Sequence, residues 1–103
     1  MKRIERISAM ERCLDTAKEA IEKLSEAMDV YQEAEKSIAK LFSYYGSVQW
    51  MQDYEADEQG KLPEDLKRGV LSEDAVYDLI IENRELVLKM MNLATAAVRN
   101  RTI

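Results

Sequence analysis

The sequence predicts an all-α protein, an elongated antiparallel hairpin of two long helices with a short middle helix and an ordered connector, in one helical domain over residues 1–103. Three observations predict it. Apolar residues recur at heptad spacing from Ile7 to Tyr45 with no helix breaker among them. All three glycines and the one proline fall between Gly46 and Gly69. A second periodic apolar run then follows "VLSEDAV", which reads as a helix start.

The first helix is expected over about residues 3–45. Ile7, Leu14, Ile21 and Met28 fill one seam position of the heptad, and Met10, Ala17, Leu24, Tyr31, Ile38 and Tyr45 fill the other. Beside the seam run Cys13, Ala20, Ala27 and Ala34, small enough to let another helix approach closely. The opposite face is charged, and Glu19 and Lys23 stand in the favourable order four residues apart. Glu35 takes a seam position where a hydrophobe is due, while Ala34, Ile38, Leu41 and Phe42 carry the stripe on. At about 1.5 Å per residue such a helix exceeds ~60 Å, which makes the expected molecule a rod.

"YYGS" ends this helix, since Gly46 suits the left-handed residue after a helix C-terminus and Ser47 can cap a short helix over about 48–58. Gly60 is a natural stop, and residues 59–71 form the connector. Within it, Pro63 suits the first turn of a mini-helix "PEDLKR", and Gly69 can end that helix in the left-handed conformation. Leu62, Leu66, Val70 and Leu71 supply the connector with an apolar docking face, and Lys67 and Arg68 are read as solvated beside Glu64 and Asp65. The last helix is expected over about 72–100, with Ser72 as cap, Glu73 and Asp74 complementing the positive helix end, and Leu71 stapled onto Val76. Its main face carries Val76, Leu79, Ile80, Leu86, Val87, Met90, Leu93, Ala94 and Ala97, with Asn83 in the seam. A second stripe of Tyr77, Ile81, Leu88, Met91 and Val98 makes this helix apolar nearly all round, so it needs more than one neighbour. That spare stripe predicts a homodimer.

Composition narrows the chemistry. With 47% apolar and 34% charged residues the chain can bury a core but has too much charge to span a bilayer, which takes roughly 18 to 20 apolar residues. The opening "MKRIERISAMERC" interrupts its apolar residues with charge, unlike a signal peptide, so the expected location is cytoplasmic. Histidine is absent and Cys13 is the single cysteine. Cys/His zinc sites, Ser-His-Asp and Cys-His nucleophiles and the Glu-x-x-His di-iron bundle all need residues the chain lacks. A net charge of -5 with no basic stripe argues against nucleic acid.

"DYEADEQGKLPE" places Asp53, Glu55, Asp57, Gln59 and Glu64 at ligand positions of a calcium loop. Glu58 stands where the loop requires glycine for its sharp turn, so no metal and no other cofactor is expected. Tyr44, Tyr45, Trp50 and Tyr54 gather most of the aromatic residues around one turn. They read as lining for one end of the fold and, together with Lys67 and Arg68, as the candidate partner surface, because tyrosine and tryptophan also anchor interfaces.

In "YYGS…W", "GKLPEDLKRGVLSEDAVYDL" and "ENREL" the chain resembles a family of small bacterial proteins known as domain of unknown function 4298. The resemblance implies a stand-alone cytoplasmic protein with no assigned activity. The reading of the residues themselves is a non-enzymatic structural or protein-interaction module with an unknown protein partner. Two alternatives stand beside it. One is a secreted hairpin similar to the WXG type, with Tyr44 where that family has tryptophan. The other is a small mutase-like enzyme similar to chorismate mutase, which would need cations such as Arg3, Arg6, Arg12 and Arg84 to converge inside a bundle.

Overall fold

The structure, a computed structural model, describes residues 2–101. These are all-α: α1 spans Lys2–Tyr44, α2 spans Val48–Glu58 and α3 spans Ala75–Arg99, with a short 3-10 segment at Gly69–Leu71 and no strand among the described residues. They fall into two compact units, one ending at Ile38 and one beginning at Ala39.

The first unit is helix alone. No residue of α1 is buried, and the helix runs unbroken for 43 residues with neither glycine nor proline. The expected Glu19–Lys23 pair forms at 2.7 Å, but both side chains are well exposed and the pair contributes only a few tenths of a kcal/mol. The helix does little to complement its macrodipole: Lys2 and Arg3 outnumber Glu5 in the first turn, and the last turn has no base.

The second unit is built from punctuation. Gly46 takes a φ of 78°, the left-handed region that favours glycine, and lets the chain leave α1. Ser47 caps α2 by accepting the amide of Trp50 at 3.1 Å. At the other end of α2, Gly60 has a φ of 70°, its amide bonds the carbonyl of Asp57, and the next amide, Lys61, bonds that of Ala56. This is a complete Schellman closure and explains why the acidic run stays helical up to Glu58.

The connector departs from expectation in three ways. "PEDLKR" is a single turn closed by the Leu66 amide on the Pro63 carbonyl, because six residues cannot offset the cost of nucleating a helix. Gly69 is not left-handed; it opens the 3-10 segment, and a Cβ there would meet nothing within 4 Å. Of the four apolar residues expected to dock, Leu71 is buried and Leu62 half-buried, whereas Leu66 and Val70 stay exposed.

α3 starts at Ala75, three residues after the expected position, yet the start signals work as read. Ser72 Oγ accepts the Ala75 amide at 3.2 Å and donates to the Gly69 carbonyl at 2.9 Å, so one hydroxyl ties the 3-10 segment to the helix. Leu71 and Val76, 6% and 3% exposed, are the two buried hydrophobes of the described chain. They are the staple pair, set on either side of the cap. From Val76 the less exposed line continues through Ile80, Asn83 and Val87 at alternating four- and three-residue spacing, while Tyr77, Ile81, Leu88, Met91 and Val98 remain exposed.

Candidate partner-binding surface

The candidate surface grows from three local decisions. The last turn of α1 carries Tyr44 and Tyr45, the Ser47 cap sets the phase of α2, and that phase brings Trp50 and Tyr54 onto one α2 face, four residues apart. Trp50 stacks on Tyr54 with ring centroids 5.3 Å apart and meets Tyr45 in a T-shaped contact at 5.2 Å. Contacts of this geometry are worth roughly 0.5–1.5 kcal/mol each beyond the area they cover.

The polar tips of these rings hold the connector and the start of α3. Trp50 Nε1 donates to the Val70 carbonyl at 2.9 Å. Tyr45 donates to the Glu73 carbonyl at 3.1 Å, and Tyr54 donates to the Glu73 carboxylate at the same distance. Glu73 therefore has two jobs, accepting two phenols and placing an acid near the α3 N-terminus. Tyr44 lies apart from this trio and donates to Asp53 at 2.6 Å.

Two phenols feel these carboxylates strongly. The bond to Asp53 pushes the Tyr44 phenol up to about 12, because its ionisation would set a phenolate against a carboxylate. Glu58 first and Glu73 second push Tyr54 up to about 12 for the same reason.

Arg68 is not the solvated charge expected from its neighbours. Its guanidinium reaches back over the turn to Asp57 at 2.9 Å, with both side chains about two-thirds covered. The competing acids were nearer in sequence, but Glu64 and Asp65 lie in the turn itself, whereas Asp57 sits in the last turn of α2 facing the returning chain. Lys67 is exposed and rims a groove of about 390 Å³ lined by Leu41, Gly69, Val70, Ala75, Val76 and Leu79.

The structure thus brings Tyr45, Trp50, Tyr54 and Arg68 into one clamp on the connector, puts Tyr44 on Asp53, and leaves Lys67 at a groove. Sequence reasoning missed Asp57, Glu73 and the Val70 carbonyl as the clamp's acceptors. The Ser47 cap, which fixes the direction of Trp50 and Tyr54, was the one signal pointing to them. Arg3, Arg6, Arg12 and Arg84 are all exposed. Among the described residues no three acidic or thiol side chains stand close enough to hold a metal ion, and no helix is long and apolar enough to cross a membrane.

No curated protein and no solved structure matches the chain. Residues 7–93 match the family described as "Domain of unknown function (DUF4298)", a stretch that takes in the α1 seam, the aromatic clamp, the connector and most of α3. With most of its length covered by that match, the chain belongs to the DUF4298 family.

Proposed function

We propose that the protein is a non-enzymatic helical interaction module that works as a homodimer in the cytoplasm and presents its helices to other proteins. The observation that carries this reading is the exposure of two long apolar rows at helical spacing. On α1, Met10, Leu14 and Leu24 are 57%, 59% and 53% exposed, and on α3 the Tyr77 to Val98 stripe is also open. Contiguous apolar rows rimmed by charge mark surfaces that another chain covers. A lone exposed thiol at Cys13 suits a reducing compartment, and the net charge of -5 suits a protein partner better than a phosphate backbone.

The aromatic clamp supports the same reading by a different route. Its polar tips are spent on the chain's own connector and on Glu73 before α3, so the clamp acts as a brace that holds the α2–α3 corner in one shape. Lys67, exposed at the groove rim, is placed to touch a partner without loosening the brace. Light scattering at micromolar concentration should give twice the chain mass. A monomer mass would remove the homodimer, and turnover of a small-molecule substrate by the purified chain would remove the non-enzymatic reading.

A further inference from the structure

We infer that the partner covering the α1 seam is α1 of a second copy, lying antiparallel in a register that sets Arg3 opposite Glu35. This rests on the homodimer reading above and specifies its interface.

The charge distribution selects the direction. Residues 2–12 carry Lys2, Arg3, Arg6 and Arg12 against Glu5 and Glu11, whereas residues 26–36 carry Glu26, Asp29, Glu33 and Glu35 against Lys36. Lys2 and Arg3 in the first turn oppose the positive end of the helix macrodipole and so weaken the start of α1 by itself. An antiparallel copy reverses that penalty: each basic end meets an acidic end, and the two macrodipoles oppose each other. A parallel copy would stack base on base and acid on acid.

The seam selects the register. Antiparallel heptads pair one seam position with the other, and the alignment that places Arg3 against Glu35 also sets Met10 against Met28 and Leu14 against Leu24. Ala17 then meets Ile21 beside the twofold axis. The polar interruption of the seam thereby gains a partner of opposite charge, the device by which a buried polar pair specifies alignment. Arg6, on the flank of the seam, lies near Glu35 of the second copy. On the flank, Ala20 faces its own copy and Cys13 faces Ala27, so small residues meet small ones and the helices can approach closely. On the other flank Lys18 meets its own copy, with Asp15 and Glu22 on either side to offset the repulsion.

The area is sufficient. Ile7, Met10, Leu14, Ile21, Leu24 and Met28 are each more than half exposed, which leaves on the order of 100 Å² apiece, or about 600 Å² per chain from these six side chains alone. Flanking stems bring this near the ~800 Å² per partner of an ordinary stable interface.

Cys13 supplies the test. In this register it lies beside Ala27 of the second copy, while the two Cys13 residues are about 20 Å apart along the helices, as are Cys13 and Ala27 of one chain. Under mild oxidation with glutathione, A27C should form a covalent dimer, and the native chain should not. Peptide mass spectrometry reads the linkage, which should join Cys13 of one copy to the cysteine introduced at position 27 of the other. A Cys13–Cys13 linkage in the native chain, or a linkage in the variant between the two introduced cysteines, would overturn the inference yet leave the homodimer standing. A dimer by sedimentation that yields no linkage would do the same, and a monomer would overturn both. The register has its own check. R3E and E35R should each weaken the dimer about tenfold or more in Kd, and the double variant should recover to within about threefold; absence of recovery would refute the pairing.

Discussion

The two units of the chain are stabilised in opposite ways. Up to Ile38 the order is periodic: a repeat of apolar, small and charged residues that gives a helix with no buried residue and with an exposed ion pair on its surface. From Ala39 onward the order is particular, held by two left-handed glycines, two serine caps, a staple, a three-ring clamp and an ion pair, each made by a residue that few others could replace. A periodic unit tolerates substitution at any one site but gains from something to lie against, since in proteins most helical stability comes from packing an apolar face. A unit of specific contacts is held by its own side chains and fails when one of its few anchors is removed.

The largest expected effect is therefore W50A. It removes both ring contacts and the bond to the Val70 carbonyl, and should lower the unfolding free energy by about 2–3 kcal/mol in urea melts. A loss well under 1 kcal/mol would show that the clamp is ornamental. Next comes S72A, which strips the cap from Ala75 and the bond to Gly69 and should cost about 1 kcal/mol, or roughly 5 °C in Tm. G69A provides the contrast: with no positive φ and open space at its Cβ, it should be neutral to within a few tenths of a kcal/mol. Smaller than the cap is R68A, expected to cost about 0.5–1 kcal/mol through loss of the Asp57 pair, whose side chains are about two-thirds covered, while K67A should leave stability unchanged.

The smallest effect is one of pH. Tyr44 and Tyr54 have folded values raised from 10.0 to about 12, so the fold favours their neutral forms. Their contribution is intact below pH 10 and is lost as pH rises toward 12. Phenolate absorbance should show a late-ionising fraction that Y44F and Y54F each reduce, and a titration unchanged by either variant would contradict the carboxylate contacts.

Much of the fold was legible because the deciding signals are local. Gly46, Ser47, Gly60 and Ser72 each act within about four residues, and the Leu71–Val76 staple spans the cap between them, so sequence alone placed the breaks, the caps and the staple. What escaped depends on chain reversal. Arg68 chose Asp57 over the nearer Glu64 and Asp65, and Trp50 chose a carbonyl twenty residues on, because the turn at Pro63 folds the connector back over α2. The left-handed Gly69 failed for the same cause, since the backbone from Arg68 to Leu71 follows the anchors at Arg68 and Val70 into a 3-10 turn, whereas the mini-helix failed because six residues are too few to nucleate one. The aromatic residues were recognised as a group from spacing, but their acceptors, Glu73 above all, lay beyond any periodic pattern.

In the proposed dimer residues 3–35 are ordered by pairing, whereas residues 47–76 are ordered by their own contacts. Amide hydrogen exchange, resolved by peptide and repeated above and below the Kd of the proposed dimer, distinguishes the two. Protection across residues 3–35 should fall steeply on dilution, while protection around Trp50, Leu71 and Val76 should stay constant. Equal protection of residues 3–35 in the dilute monomer would contradict ordering by pairing, since the exposed seam would then need no second copy to hold its helix.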